Sequence, residues 1–246
     1  MTIIRTVLTY LYIGLNVLCS NPWLASIEKK KQEGKLTAEE AYAKVQKYYM
    51  KFGKGCFKLA NVKVEVTDLE NVPQDEAVLF VANHQSYFDV PAIMYTIPKP
   101  MGFVAKEELG KIPFFKQWII STGTVLIARG ETRKALEAII NAAKILKSGQ
   151  SITIFPEGTR SADGKLLEFK PGSLKAAQKG KVAIVPIAID GAVDVLNRNG
   201  FLIQPKPIHL TVLKKIDAEE VQATDTTVLA DKIRRDIAAV LGQEVE

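Results

Sequence analysis

The 246-residue chain contains few of the residues that build disulfide frameworks and metal sites. Its two cysteines, Cys19 and Cys56, are far apart and form no paired pattern. We therefore expect no disulfide framework and a reducing compartment. Its two histidines, His84 and His209, have no Cys or His companions at ligand spacing, so no metal site is predicted. The sequence also lacks internal repeats, low-complexity tracts and Gly/Ser linkers.

Most of the chain lacks an excess of either charge. The formal net charge is +6, and residues 1–60 account for it with ten Lys or Arg against four Glu. A local basic segment suits an anionic surface, either lipid headgroups or nucleic acid. The segment has no aromatic platform or base-reading motif, so no nucleic-acid partner is predicted. We expect a membrane surface with anionic lipids as its partner.

One run of the sequence, from Ile3 to Cys19, has a single charged residue, Arg5. As a helix this run would measure about 26 Å, at the short edge of a bilayer core. A secretory signal peptide is disfavoured because no small-x-small cleavage site follows cleanly. A helix that lies in the interface, or pairs with another helix, would use the narrow polar stripe that the run carries at Arg5, Thr9, Tyr12, Asn16 and Ser20.

A second helix is predicted after Thr37, because Thr37 and Glu40 form a capping-box pattern. Its apolar face carries Ala38, Ala41, Tyr42, Val45, Tyr49, Phe52, Cys56 and Leu59. Its opposite face carries Lys44, Lys47, Lys51, Lys54 and Lys58. A basic amphipathic helix is typical of a membrane surface, and the alternative is a solvated helix packed on the body. Beside the apolar first helix, we favour a two-helix monotopic membrane anchor over residues 1–60.

Short strands and helices alternate from residue 61 onward. The predicted strands are 62–66, 77–82, 102–105, 124–128, 151–155, 182–189 and 209–213. The predicted helices are 90–95, 114–121, 131–147, 172–178 and 226–241. This alternation implies an α/β fold with a mostly parallel sheet flanked by helices. The chain is thus divided into an anchor over residues 1–60 and an α/β domain over residues 61–246.

The first candidate site follows the apolar strand 77–82, which leads into the segment Asn83-His84-Gln85-Ser86-Tyr87-Phe88-Asp89. In such folds reactive groups cluster where strands end. His84 is the candidate general base, because the ordinary pKa of histidine, about 6.5, lies near working pH. Asp89 can fold back at a helix start, fix the tautomer of the ring and stabilise the imidazolium. The alternative is a surface histidine beside a helix-capping aspartate.

A nucleophile for covalent catalysis is missing from the sequence. There is no Gly-x-Ser-x-Gly elbow, and Ser86 follows His84 too closely to be assigned as its reaction partner. The base is therefore expected to activate a hydroxyl that arrives on the substrate. This predicts direct transfer without a covalent enzyme intermediate.

The second candidate site is Phe155-Pro156-Glu157-Gly158-Thr159-Arg160-Ser161, directly after the strand 151–155. Arg160 can bind phosphate in bidentate fashion, Gly158 permits close approach of the backbone, and Thr159 supplies a hydroxyl donor. Glu157 is interpreted as orienting Arg160 or binding a substrate hydroxyl. The alternative for the segment is a plain turn. Lys106, after the strand 102–105, is a second possible phosphate ligand.

Together, four segments in this order resemble the glycerolipid acyltransferase family. The His-x-x-x-x-Asp motif of that family is matched by His84 and Asp89, and its Phe-Pro-Glu-Gly-Thr-Arg-Ser motif by residues 155–161. The arginine block corresponds to residues 123–129, and the Val-Pro block to residues 185–186. The resemblance covers roughly residues 77–190 with the spacing kept.

The resemblance implies that His84 deprotonates the hydroxyl of 1-acylglycerol 3-phosphate (lysophosphatidic acid). This hydroxyl then attacks an acyl carrier protein or coenzyme A thioester, which is a co-substrate and not a resident cofactor. It also implies that Arg129, Glu157 and Arg160 hold the glycerol phosphate. The expected location is the cytoplasmic face of the cell membrane. Alternatives are another acceptor, such as glycerol 3-phosphate or a different lysolipid, and a non-catalytic lipid-binding protein.

Overall fold

The computed structural model describes residues 1–128, 132–196 and 200–245. The helices in these ranges are α1 (Thr2–Gln32), α2 (Ala38–Ala60), α3 (Asp89–Thr96), α4 (Lys116–Thr122), α5 (Thr132–Lys147), α6 (Lys175–Gly180), α7 (Ala192–Val195), α8 (Ala218–Ala223) and α9 (Thr226–Leu241). The strands are β1 (Val64–Thr67), β2 (Val78–Ala82), β3 (Met101–Lys106), β4 (Val125–Ile127), β5 (Ser151–Ile154), β6 (Ala183–Asp190) and β7 (Ile208–Val212).

Within the described ranges, the strands form one seven-stranded sheet in the order β1-β7-β6-β2-β5-β3-β4. All neighbouring pairs are parallel except β6 and β7. The register places Leu79 of β2 between Ile152 of β5 and Ile184 of β6. The mostly parallel sheet of the predicted α/β fold is confirmed. The carboxyl ends of β2, β5, β3 and β4 lie side by side at one edge of the sheet.

The sheet separates two hydrophobic clusters, and alternate residues of β2 belong to different clusters. Phe80 packs in the cluster covered by α1 to α4, whereas Leu79 and Val81 pack in the cluster covered by α5, α6, α8 and α9. Burial on both faces explains why this strand is an unbroken apolar run in the sequence.

Helix α1 is longer than predicted, and its polar stripe faces the rest of the protein. Thr9 is fully buried. Tyr12 donates its hydroxyl hydrogen to the Phe52 carbonyl oxygen (3.2 Å), and Trp118 Nε1 donates to Ser20 Oγ (2.8 Å). The stripe therefore pairs α1 with α2 and α4. The opposite side of α1, called here the apolar side, is exposed at Ile3, Ile4, Val7, Leu8, Leu11, Leu15 and Leu18.

Helix α2 begins with the predicted capping box, in which the Glu40 amide donates to Thr37 Oγ1 and the Thr37 amide donates to Glu40 Oε2. Its apolar face is buried on the body at Val45, Tyr49 and Phe52. The interpretation of this face as membrane-binding is therefore wrong, because packing on the body satisfies it. The alternative, a solvated helix packed on the body, describes this face. The lysines of the opposite face are exposed, and their contact with an anionic surface stays a prediction. The division of the chain at residue 60 stays a prediction.

Short helices account for the elements that the sequence did not predict. Helices α7 and α8 have four and six residues, which is too short to show helical periodicity. The helix predicted at 172–178 is a 3₁₀ turn, Pro171–Leu174, followed by α6. Glu131, at the predicted start of α5, lies outside the described residues.

Candidate active site

The structure brings His84 and Asp89 together at the carboxyl end of β2. Asp89 is fully buried, and its Oδ2 accepts hydrogen bonds from His84 Nδ1 (2.6 Å) and from the amides of Gln85 (2.7 Å) and Ser86 (2.8 Å). These amides precede α3, so Asp89 caps the turn before the helix. Because the carboxylate is an acceptor, Nδ1 carries the ring hydrogen and Nε2 can take a proton.

The second motif holds the backbone of His84 from the neighbouring strand β5. The His84 amide donates to Glu157 Oε1 (2.7 Å), and the Ser161 amide donates to the His84 carbonyl oxygen (2.8 Å). Both backbone groups of the candidate base are thus bonded to the segment that carries Arg160. The two motifs form a single unit at the edge of the sheet, called here the catalytic edge (residues 83–89 and 155–161).

Glu157 faces the interior of this unit. Its side chain is buried, with 4% of the residue exposed, and its Oε2 accepts a hydrogen bond from the Leu167 amide (3.2 Å). Burial raises the pKa of Glu157 to about 7, and the nearby charge of Asp89 acts in the same direction, whereas the two amide hydrogen bonds lower it. Each carboxylate oxygen of Glu157 thus accepts a backbone amide, which positions His84 and the chain near Leu167. The expectation that Glu157 also binds the acceptor stays a prediction.

Two aromatic side chains stack on the polar groups of the catalytic edge. The Phe155 ring lies 4.1 Å from the His84 ring, centroid to centroid, with the planes 20° apart. The Arg160 Cζ atom lies 3.5 Å from the centroid of the Tyr87 ring. Stacking fixes the planes of the imidazole and the guanidinium, and the guanidinium donates its hydrogen bonds within that plane.

Gly158 lets a lysine approach the turn that carries Arg160. Its φ of +70° is a conformation that other residues rarely adopt, and a Cβ atom there would lie 2.9 Å from Lys170 Nζ. The ammonium of the exposed Lys170 therefore lies beside the predicted phosphate-binding turn. Thr159 is exposed and Arg160 is partly buried.

The other two predicted phosphate ligands follow the strands β3 and β4. Lys106 ends β3, which lies beside β5, and its Nζ forms an ion pair with Glu108 Oε1 at 2.9 Å. Both side chains of this pair are exposed. Arg129 lies outside the described residues, and β4 ends at Ile127.

A family model described as "Acyltransferase" matches residues 63–190, a range that contains both motifs of the catalytic edge. The chain belongs to the acyltransferase family. The resemblance predicted from the ordered motifs is confirmed.

Individual acyltransferases are similar over most of the chain. The chain is 32% identical over 183 residues to the 1-acyl-sn-glycerol-3-phosphate acyltransferase of Borreliella burgdorferi, in a match that covers 74% of this chain and 73% of that protein. It is 34% identical over 157 residues to a chloroplastic 1-acyl-sn-glycerol-3-phosphate acyltransferase of Arabidopsis thaliana, covering 60% of this chain and 44% of that protein.

A solved structure supports the fold over the whole length. The crystal structure of the 1-acyl-sn-glycerophosphate acyltransferase from Thermotoga maritima matches with a TM-score of 0.80 and 28% identity. The match covers 100% of this chain and 98% of that one. It includes the N-terminal helices as well as the sheet.

Ser86 is not placed to act as the nucleophile of this acyltransferase. It is fully buried, and its Oγ donates to the Leu196 carbonyl oxygen (3.4 Å) and accepts from the Phe88 amide (3.3 Å). Over residues 1–128, 132–196 and 200–245, there is also no group of three His, Cys, Asp or Glu side chains that could hold a metal ion.

Three residues of the site were not predicted from the sequence: Tyr87, Phe155 and Lys170. Tyr87 and Phe155 lie inside the quoted motifs, but each contact joins the segment after β2 to the segment after β5. These strands are separated by 68 residues or more in the chain and become neighbours only through the sheet order. Lys170 lies ten residues after Arg160 in a segment with no motif.

Proposed function

We propose that the chain transfers a fatty acyl group from an acyl carrier protein or coenzyme A thioester to the free hydroxyl of 1-acylglycerol 3-phosphate. The product would be phosphatidic acid for phospholipid biosynthesis. The observation that carries the proposal is the His84–Asp89 hydrogen bond of 2.6 Å on a backbone that is bonded to the Arg160 segment. A base and a phosphate ligand are thereby held at one edge, and two relatives of the chain are named for this acceptor.

In the proposed reaction, His84 Nε2 takes the proton of the acceptor hydroxyl while the hydroxyl oxygen attacks the thioester carbonyl carbon. A carbon–oxygen bond forms, the carbon–sulfur bond breaks, and the proton passes from His84 to the departing thiolate. Asp89 stabilises the imidazolium between the two proton transfers. Burial of Ser86 supports direct transfer over an acyl-serine intermediate.

The phosphate of the acceptor is proposed to bind at Arg160, with the adjacent Gly158 and Thr159. Stacking on Tyr87 presets the plane of the guanidinium, which reduces the entropy lost when it binds phosphate in bidentate fashion. Lys106 and Arg129, which follow the neighbouring strands β3 and β4, are proposed as further ligands.

Attachment to the cytoplasmic face of the membrane is proposed to depend on α1. Among the described residues, α1 is the one helix long and apolar enough to cross a membrane, judged by length and composition alone. Its inward side is bonded to the body from Arg5, which donates to the Ile203 carbonyl oxygen, to Ser20, which accepts from Trp118. A helix bonded along its length, with an exposed apolar side, supports a monotopic anchor lying in one leaflet.

Mass spectrometry of the products tests the proposal. The enzyme is offered lysophosphatidic acid, glycerol 3-phosphate and lysophosphatidylcholine, each with an acyl carrier protein thioester and a coenzyme A thioester. We expect phosphatidic acid as the main product. A larger yield from glycerol 3-phosphate or lysophosphatidylcholine would assign a different acceptor, and no acylated product from any pair would favour a non-catalytic lipid-binding protein.

A further inference from the structure

A cleft of about 570 Å³ lies between α1 and α2, apart from the catalytic edge. It is lined by Trp23, Ile27, Lys30, Lys35, Leu36, Lys44 and Lys47. Its volume falls in the range of small-molecule sites, roughly 300–1,000 Å³. Four of its seven lining residues are lysines, so the cleft favours an occupant with negative charge.

The lysines of this cleft are mostly uncommitted. Lys35 pairs with Glu33 at 2.7 Å. Within the described part of the chain, Lys30, Lys44 and Lys47 form no ion pair with a carboxylate. Lysines with their charge available in one concave site are suited to phosphate, which they bind as point charges.

The floor of the cleft is apolar and lies on the side of α1 that faces α2. Ile27 is buried, Leu36 is partly buried, and Trp23 is 38% exposed. The Trp23 ring also packs on Tyr48 of α2, with centroids 5.2 Å apart. Tryptophan beside lysines is the composition of a membrane interface, where the indole lies at headgroup depth. A free anion would use the lysines but not this floor.

We infer that the cleft binds the phosphate headgroup of an anionic phospholipid, with the glycerol end of the lipid on Trp23 and Ile27. This lipid is a component of the membrane surface and not the acyl acceptor. Lipid binding in the cleft does not depend on acyl transfer, since none of the cleft residues belongs to the catalytic edge.

Titration of the full-length protein in neutral detergent tests this inference. The probes are dihexanoyl phosphatidylglycerol, dihexanoyl phosphatidylcholine and inorganic phosphate. The readout is the fluorescence of Trp23, obtained by subtracting the signal of a Trp23→Phe variant; the other tryptophan, Trp118, is buried. We expect saturable binding of phosphatidylglycerol, at least tenfold weaker binding of phosphate, and no saturation with phosphatidylcholine.

Two double variants of α2 separate the cleft from general surface charge. Lys44→Gln with Lys47→Gln removes two charges inside the cleft, and Lys54→Gln with Lys58→Gln removes two exposed charges outside it. We expect the Kd for phosphatidylglycerol to rise about 30-fold in the first, which corresponds to about 1 kcal/mol per lysine, and less than threefold in the second. Arg160→Ala should leave this titration unchanged, which distinguishes the cleft from the acceptor site.

Three results would overturn the inference. Equal losses in the two double variants would indicate diffuse attraction to the helix. Phosphate binding as tight as phosphatidylglycerol binding would assign a free-anion site. If the Lys44 and Lys47 variant lost affinity for acyl carrier protein while its phosphatidylglycerol titration stayed normal, the cleft would be a protein-docking surface.

Discussion

The catalytic edge and helix α1 both reverse the usual distribution of polar and apolar groups, but in opposite directions. At the catalytic edge, the carboxyl groups of Asp89 and Glu157 are buried. On α1, large apolar side chains are exposed, while the polar stripe faces inward. Buried charge and exposed apolar surface are both unfavourable in an isolated chain in water. Their places in the fold indicate where the protein meets its substrate and its surroundings.

The two regions differ in how the unfavourable groups are satisfied. The buried carboxylates receive hydrogen bonds from the chain itself, at the amides of His84, Gln85, Ser86 and Leu167. The apolar side of α1 is not covered by other described residues, so an apolar environment outside the chain is needed to remove it from water. We therefore expect substitutions at the catalytic edge to change turnover and stability without changing membrane attachment, and substitutions on α1 to do the reverse.

The largest effect is expected from Asp89→Asn. The amide keeps the shape but no longer stabilises imidazolium or selects the tautomer with hydrogen on Nδ1, so kcat should fall by about 10³ to 10⁴. Sedimentation with membranes should stay as in the parent. Steady-state kinetics and a membrane pelleting assay measure the two properties. A loss below tenfold in kcat would mean that Asp89 only caps its turn.

The apolar side of α1 is tested by replacing Leu8, Leu11, Leu15 and Leu18 with Gln. Each substitution removes about 1.5–3 kcal/mol of favourable transfer into lipid, so the partition coefficient between membrane and water should fall more than 10³-fold. Turnover of a water-soluble short-chain acceptor should remain. High salt should not release the parent protein, because apolar burial persists when charge is screened. A variant that stays in the membrane pellet, or a parent released by salt alone, contradicts this role of α1.

The Glu157→Gln substitution tests whether one buried carboxyl group holds the two motifs together. The NH₂ group of glutamine would face one of the two backbone N–H donors, so we expect the free energy of unfolding to fall by about 1–3 kcal/mol. We also expect a lower kcat, because His84 loses part of its support. Chemical unfolding of the purified variant measures the first quantity.

The pH dependence of that loss has a definite sign. The pKa of Glu157 is raised from 4.5 to about 7 in the folded state, so the unfolded chain releases this proton first and the parent loses stability as pH rises between these values. The difference in unfolding free energy between the parent and Glu157→Gln should therefore narrow from pH 5 to pH 7 and stay constant at higher pH. The exposed Glu168→Gln serves as the control and should show no such trend. A gap that widens with pH would refute the raised pKa.

The smallest effect is expected at Tyr87. Tyr87→Leu removes the ring beneath Arg160 and should raise the KM for lysophosphatidic acid about two- to fivefold, with kcat unchanged, as for an exposed cation–π contact of about 0.5–1 kcal/mol. Tyr87→Phe keeps the ring and should restore the parent value. If Tyr87→Phe raises the KM as much as Tyr87→Leu does, the hydroxyl and not the stacked ring supports Arg160.

The sequence predicted the catalytic edge better than the N-terminal helices. The motifs that contain His84, Asp89 and Arg160 begin directly after buried strands. Parallel strands bring their carboxyl ends to one edge, so the proximity of these residues could be expected. The role of Glu157 could not, because a glutamate in a turn gives no sign of whether its carboxylate points to solvent or inward. That direction depends on the amide of His84, which is 73 residues away.

The N-terminal helices show a different limit of sequence reasoning. Periodicity identified two faces on each helix, but it does not say which face packs inward. On α2 the apolar face is inside, as at Tyr49, whereas on α1 the polar stripe is inside, as at Thr9. The stripe could face inward because the body supplies partners for its hydrogen bonds, such as the Phe52 carbonyl oxygen and Trp118 Nε1. Those partners are known only once the fold is known.

The account rests on His84 acting as the base in a direct transfer, and one experiment on His84→Ala tests it. The variant is incubated with acyl thioester and lysophosphatidic acid, quenched, and analysed by mass spectrometry for phosphatidic acid and for the intact mass of the protein. We predict that the rate of product formation falls by about 10² to 10⁴ and that the protein mass shows no acyl adduct. Product formation near the parent rate, or an acylated protein, would contradict direct transfer.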